Sequence, residues 1–295
     1  MAFSPSFGKK IKIFVLLSLL CAAIFSWYAV FVEDRRGILT VAFLNVGQGD
    51  AILIESPDGN QILIDGGPNA KVLHELGGVL PFYDRFLDVI LATHPDKDHT
   101  AGLADVFHRF GVGAYFLSGA ESDNGMNEIL DAASAKASAK KYLARQGMRI
   151  DLGRGAMLDI LFPDRDATHL ETNTSSIVAK LSYGETSFLF TGDSPKAIEE
   201  YLAGENEYGE NAEGVLDVDV LKLGHHGSRT STSEIFLDAT TPQYAIISAG
   251  KDNRYGHPHQ EVLSLLAAHR IPALNTADTG TIIFQSDGKK VVQVE

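Results

Sequence analysis

The stretch Thr93-His94-Pro95-Asp96-Lys97-Asp98-His99-Thr100-Ala101-Gly102 follows the apolar run Asp88-Val89-Ile90-Leu91-Ala92. The run has the length and composition of a buried strand, and Ala101–Phe110 beyond it has helical spacing. The polar cluster therefore lies at a strand-to-helix turn, where backbone geometry can aim several side chains at one point. His94, Asp96, Asp98 and His99 are four potential metal ligands within six residues. Two carboxylates and two imidazoles this crowded repel one another or lose hydration unless a cation compensates them. The competing reading is a solvated polar turn in which Asp98 caps the following helix.

Outward from the cluster, apolar or alternating runs bounded by Gly, Pro and Asn mark expected strands at Leu39–Leu44, Ala51–Ser56, Gln61–Ile64, Val89–Ala92, Ile177–Ser182, Ser187–Phe190, Val218–Leu223 and Tyr244–Ser248. Helices are expected at Ala101–Phe110, Glu128–Arg145, Pro195–Leu202 and His259–Arg270, the last opened by Pro258. Strands cluster early and late with helices between them. That order predicts an α/β fold of two mixed sheets with helices on their outer faces. Asp131–Lys141 is expected to be an exposed helix. Gly204–Gly214, with Glu205, Glu207, Glu210 and Glu213, reads as a solvated acidic loop.

Residues 13–32 contain no charge, a run of 20 residues and long enough to cross roughly 30 Å of hydrocarbon as a helix. Lys9, Lys10 and Lys12 precede it, which predicts a cytoplasmic N-terminus, a single pass and an extracytoplasmic remainder. Residues 1–36 are expected to be terminus plus anchor, and residues 37–295 one further domain. A cleaved signal peptide is the alternative, but Trp27, Tyr28 and Phe31 fill the far end where small residues belong. Cys21 is the only cysteine, so an intramolecular disulfide and a thiolate metal site in the main domain are both excluded. Residues 1–36 hold five Lys or Arg and two Asp or Glu, leaving 20 positive against 36 negative charges beyond them. A surface this acidic opposes non-specific attraction to nucleic acid, although bound cations would offset part of the charge.

The cluster resembles the metallo-β-lactamase fold superfamily, whose ligand motif is His-x-His-x-Asp-His. Here Asp96 stands at the second His position. The resemblance implies a four-layer αββα sandwich, preceded in this chain by one transmembrane helix, and two divalent metal ions. A carboxylate in place of imidazole makes Mn²⁺ or Mg²⁺ plausible beside Zn²⁺. Further segments resemble a narrower branch, the soluble hydrolase domain of ComEC-type DNA-uptake (competence) proteins, over roughly residues 38–285. Asn45-Val46-Gly47-Gln48-Gly49-Asp50-Ala51 and Ile62-Leu63-Ile64-Asp65-Gly66-Gly67 match its opening hairpin, with Asp50 and Asp65 implied to orient ligands through hydrogen bonds. Their glycines are read as turn and close-contact residues. Thr191-Gly192-Asp193 implies a carboxylate bridging both metals. Asn173 stands where the superfamily usually has His, and is left as a weak ligand, a substrate contact or neither; His169 nearby is an alternative ligand.

Leu223-Gly224-His225-His226-Gly227-Ser228 implies His226 as a ligand and His225 as a neighbour that contacts phosphate or donates a proton, a division that sequence does not fix. Ser248–His259 implies Lys251, Asn253, Tyr255 and His257 at the substrate, with His257 also a candidate acid or ligand at the metal rim. The ligand set is then His94, Asp96, Asp98, His99, Asp193 and His226. The uptake proteins' multi-helix channel has no counterpart here, where one span is read. Gly-x-Ser-x-Gly and Walker-type phosphate loops are absent, which excludes serine hydrolases and nucleoside triphosphatases of those kinds. Three function classes remain: a phosphodiesterase or nuclease acting on DNA, a hydrolase of a small phosphoester, lactone or thioester, and a non-catalytic tethered binding module.

Overall fold

The computed structural model describes residues 5–33, 37–208 and 216–294. The chain divides into two compact units, Met1–Gly37 and Ile38–Glu295. The first is the helix α1 (Pro5–Glu33), about 44 Å long at 1.5 Å per residue. Lys9–Trp27 within it has a mean hydropathy of 1.9 and is long and apolar enough to cross a membrane. The same length and composition also suit a signal sequence.

The second unit begins with β1 (Leu39–Phe43), β2 (Ile52–Glu55), β3 (Gln61–Ile64), α2 (Lys71–Val79), β4 (Phe86–Ala92), α3 (Lys97–Arg109), β5 (Gly111–Leu117), α4 (Met126–Lys136) and β6 (Lys140–Leu143). It continues with β7 (Arg149–Asp151), β8 (Ala156–Phe162), β9 (Val178–Tyr183), β10 (Thr186–Phe190), α5 (Lys196–Tyr208), β11 (Val220–Lys222) and α6 (Glu234–Thr240). The last elements are β12 (Tyr244–Ile247), α7 (Gln260–Ala268), β13 (Ala273–Asn275), α8 (Thr276–Thr279), β14 (Ile282–Ser286) and β15 (Val291–Val294). One sheet has the order β15-β14-β1-β2-β3-β4-β5-β6 and the other β13-β12-β11-β10-β9-β8-β7.

The central strands are apolar on both faces, and their two-residue period sorts the side chains between two cores. Val41, Phe43, Ile54, Ile64 and Leu91 meet Leu158, Ile160, Phe188, Phe190 and Val220 between the sheets. Ala42, Leu53, Leu63 and Ile90 pack instead on Val72 of α2, Leu103 of α3 and Leu130 of α4. Leu189, Leu221 and Ile247 on the second sheet pack on Leu202, Phe236 and Val262 of α5, α6 and α7. The result is the four-layer αββα sandwich. Burying each such side chain is worth about 1.5–3 kcal/mol, and the Phe43 ring joins both sheets and β14 through contacts at 6.3 Å to Phe190 and 6.2 Å to Phe284.

Two expectations are corrected. The helix expected over Glu128–Arg145 ends at Lys136, Ser138 takes a left-handed backbone, and Lys140–Leu143 pairs parallel with β5. Ala-, Ser- and Lys-rich composition permits a helix there, but the open edge of β5 supplies a ladder that the composition does not announce. The loop expected from Gly204 is helical to Tyr208, and residues 209–215 lie outside the described residues. β5, β7, β8, β13, β14, β15, α2, α6 and α8 were not among the expected elements.

The carboxyl ends of β3, β4, β10, β11 and β12 meet at one edge of the sandwich, where the Ile177 N–H donates to the Thr93 carbonyl. There α3 packs against the turn after β3 so closely that Gly102 has no room for a side chain: a Cβ would collide with the Gly66 carbonyl oxygen. Gly102→Ala is expected to destabilise the protein by about 1–3 kcal/mol. Urea unfolding followed by circular dichroism checks it, as a lower midpoint with an unchanged slope.

Candidate metal centre

Each functional side chain sits just past the end of a strand. Asp65 follows β3, His94 and Asp96 follow β4, Asp98 and His99 occupy the first turn of α3, Asp193 follows β10, and His225 and His226 follow β11. Asp65, His225 and His226 have positive φ values of 57°, 48° and 57°. Non-glycine residues in this region store strain of about 1–3 kcal/mol each, which the surrounding contacts must hold.

Those contacts are hydrogen bonds made on the side of each imidazole that faces away from the cluster. His99 Nδ1 lies 2.8 Å from Asp65 Oδ2 and donates to it. Thr93 gives Asp65 its backbone N–H at 2.8 Å and its hydroxyl at 2.7 Å, so its Oγ1 is left to accept from His94 Nδ1 at 3.0 Å. His226 Nδ1 lies 2.8 Å from the Ser248 carbonyl oxygen, which can only accept. These partners place the proton on Nδ1 of all three rings and turn three Nε2 lone pairs inward.

The Nε2 atoms converge on Asp193. His94 Nε2 is 3.9 Å from Asp193 Oδ2 and 3.8 Å from Asp96 Oδ2. His99 Nε2 is 3.2 Å from Asp193 Oδ1 and 3.4 Å from His226 Nε2, which lies 3.4 Å from Asp98 Oδ2 and 3.6 Å from Asp193 Oδ2. His94 Nε2 and Asp193 Oδ1 are buried without a hydrogen bond. Acceptors facing acceptors in a buried space are stable only with protons or cations between them. Imidazole nitrogens and carboxylate oxygens without thiolate are a donor set for divalent ions such as Zn²⁺ or Mn²⁺.

The charges bear out the demand for positive charge. Burial raises the Asp193 carboxyl, but His99, His226 and His94 outweigh it and hold the group well below the usual carboxylate range. Burial opposes protonation of His226, yet Asp193, Asp50 and Asp98 push it up to about 9; for His99, Asp193 and Asp65 likewise overcome burial and raise it well above the ordinary histidine value. His94 is pushed down to about 3 by burial and by His99 beside it. Burial raises Asp96 and Asp65, whereas in Asp98 the His226 bond and the charges of His99 and His226 overcome burial and bring the group down to about 2.

The six side chains His94, Asp96, Asp98, His99, Asp193 and His226 thus form one group, open to solvent on the side of Asp96 and Asp98, whose side chains are 35% and 34% exposed. Asp50 lies close by, with one oxygen 3.3 Å from His226 Nδ1 and within 4.8 Å of ligand atoms of His99, Asp193 and His226. Asn173 begins the turn Asn173–Ser175, and its Oδ1 is buried without a partner. His225 Nε2 is 3.7 Å from Asp193 Oδ2, and its ring is 5.4 Å from that of His257. Tyr255 stacks on His257 at 5.6 Å, and Arg254 lies over Tyr255 at 4.8 Å. His257 is pushed down to about 4 by burial and the imidazoles of His226, His225 and His259.

Lys251 and His169 are exposed. Asn253 is corrected: its amide donates to the carbonyls of Gly250 at 2.9 Å and His257 at 2.5 Å, and its Oδ1 accepts from the N–H groups of Tyr255 and His257. All its capacity goes into holding its own loop, leaving nothing for a substrate. Sequence reasoning missed Thr93, the Ser248 carbonyl, Glu199 and Lys222. The Glu199 carboxylate, which burial pushes up to about 7, accepts from Thr232 and Ser233 and braces the loop after His226. Lys222 carried a signal, a charge inside the apolar run Val220-Leu221-Lys222-Leu223.

Residues 44–251 match the metallo-beta-lactamase superfamily. The chain is 33% identical over 264 residues to ComE operon protein 3 of Bacillus subtilis, covering 83% of this chain and 33% of that protein. It is 31% identical over 270 residues to competence protein ComA of Neisseria gonorrhoeae, covering 90% of this chain and 35% of that one. The chain spans about a third of the length of these relatives. Igni18, a metallo hydrolase of the archaeon Ignicoccus hospitalis, shares the fold with a TM-score of 0.53 at 13% identity, over 88% of this chain and 99% of that one.

With His226 pushed up to about 9 and His99 raised by Asp193 and Asp65, protons compete with a cation for the inward Nε2 atoms. Apparent metal affinity is therefore expected to fall as pH falls below about 9, by about tenfold or more per unit, in competition with a chromophoric chelator. Asp65→Asn, which removes the charge behind His99, is expected to weaken binding by about 10–100-fold at constant pH.

Proposed function

The chain belongs to the metallo-β-lactamase superfamily, and from that premise we propose that its Ile38–Glu295 unit is a metal-dependent phosphodiesterase acting on DNA, tethered by α1 with the site outside the cytoplasmic membrane. The observation that carries the proposal is the convergence of three Nε2 atoms and three carboxylates on one partly open point. His94, Asp96 and Asp193 would hold one divalent ion, and Asp98, His99, His226 and Asp193 a second. Asp193 would be shared between the two sets because it lies within 3.9 Å of the Nε2 atoms of His94, His99 and His226 alike. Bound ions supply Lewis acidity to a phosphoryl oxygen and lower the pKa of an attacking water.

The protein's own groups divide the remaining work. His225 is 28% exposed beside Asp193, with Nδ1 3.2 Å from Thr230 Oγ1, and it, or His257 beside it, would give a proton to the leaving oxygen. Lys251, Arg254, Tyr255 and His257 offer charge and hydrogen bonds to phosphates flanking the scissile one. Asn173, whose Oδ1 is buried without a partner and which stands where the superfamily usually has imidazole, would add a weak neutral oxygen ligand or a substrate contact. DNA as substrate class follows the resemblance to the uptake proteins and the competence relatives. The side of the membrane follows Lys9, Lys10 and Lys12 before the apolar run.

The test is hydrolysis by the full chain, loaded with Zn²⁺ or Mn²⁺, of DNA and of bis(p-nitrophenyl) phosphate. Asp98→Asn is expected to lower kcat/KM at least about 100-fold together with metal content. His225→Ala is expected to lower kcat about 100-fold with metal content unchanged. Cleavage of the small diester alone would restrict the site to small phosphoesters, and no cleavage of either by fully loaded protein would refute the proposal.

A further inference from the structure

Lys222 is a cation with no exposed surface, at the end of β11. Val220 packs between the sheets and Leu221 on the outer helices, so the period of two turns Lys222 inward. An ammonium there is tolerated only when paired and hydrogen-bonded. Its Nζ donates to Asp50 Oδ2 at 2.7 Å and to the Leu223 carbonyl at 3.0 Å. Asp50 comes from the β1–β2 connection of the other sheet, so this ion pair crosses the sandwich beneath the metal centre.

Asp50 is buried and close enough to His99, Asp193 and His226 to share a cation with them. Its free oxygen, however, lies beside the outward nitrogen of His226, which already gives its proton to Ser248. His226 therefore does not need Asp50 to fix its tautomer. We propose that Lys222 is a positioning residue that confines Asp50 to the Nδ1 side of His226 and keeps it out of the metal ligand set. The proposal rests on the metal-centre reading. It goes further by assigning the charge of that centre: Asp96, Asp98 and Asp193 face the cations, and a fourth carboxylate is neutralised from within the core.

Co²⁺ is the probe, bound to the full chain and followed by its visible absorption, which reports the ligand set. Lys222→Met removes the counter-charge without opening a cavity, so Asp50 is expected to join the metal. The spectrum should change, and Co²⁺ should bind about tenfold or more tightly. Adding Asp50→Asn should return the spectrum and affinity to those of the wild type. A Lys222→Met spectrum superimposable on the wild type would overturn the proposal. If Lys222→Met does not fold, the double variant decides alone: a wild-type spectrum supports the assignment, and an altered one shows Asp50 to be a ligand and overturns it. A wild-type chain that binds no Co²⁺ would overturn the metal-centre reading itself, and this assignment with it.

Discussion

The hydrogen bonds that three buried histidines make away from the cluster determine almost everything else at the edge of this sandwich. An imidazole free to rotate or change tautomer presents either nitrogen. Once Nδ1–H is committed to Asp65, to Thr93 Oγ1 or to the Ser248 carbonyl, only Nε2 remains to face Asp193. Asp65 is the hub, since it accepts from His99 directly and fixes His94 through Thr93. To do so it adopts a left-handed backbone, and His225 and His226 do the same across the cleft. Three such residues cost several kcal/mol together, a large fraction of the net stability of a domain, and persist because packing leaves them no alternative.

That packing is why the fold and the site are inseparable. His94 and His99 belong to the first sheet and its helix, whereas Asp193 and His226 belong to the second sheet. The cluster exists only if the two sheets hold their registers to within a fraction of an ångström. The apolar layer between them supplies the cohesion, but it is non-directional. Direction comes from polar ties at the same edge, including Ile177 to Thr93, His225 N–H to the Gly192 carbonyl, and Lys222 to Asp50. A buried ion pair adds little net stability relative to apolar residues of similar volume, and its value here lies in geometry.

Much of this was legible in the sequence where the information is local. His94, Asp96, Asp98 and His99 lie within six residues, and the strand before them and the helix after them show in the hydrophobic pattern, so the turn and its crowding could be read directly. What escaped is set by tertiary partners. β6, β7 and β13 are three- or four-residue edge strands held by their ladders, and β6 arises from a segment whose own composition favours helix. Asn253 has the chemistry of a substrate contact, and only the folded loop shows that its amide is consumed. The Ser248 carbonyl bears no side-chain signature at all. β8 is different, because Ala156–Phe162 is a seven-residue run that is apolar but for Asp159, and a short apolar run of that length is a strand signal that the sequence carried.

The acidic excess of the main domain bears on the proposed DNA substrate in a way that distance decides. With 20 positive and 36 negative charges beyond residue 36, the far field opposes a polyanion. At physiological ionic strength, however, charges more than about 8 Å apart through solvent are largely screened, so a phosphate at the site responds mainly to what lines it. Three of the local carboxylates face the cation positions, and Asp50 is neutralised by Lys222. Two divalent ions would leave the ligand cluster itself net positive, with Arg254 at the neighbouring rim. The metals would then convert a repulsive acidic pocket into an attractive one, which makes anion binding conditional on metal loading and leaves the remaining acidic surface to oppose adsorption elsewhere on the domain.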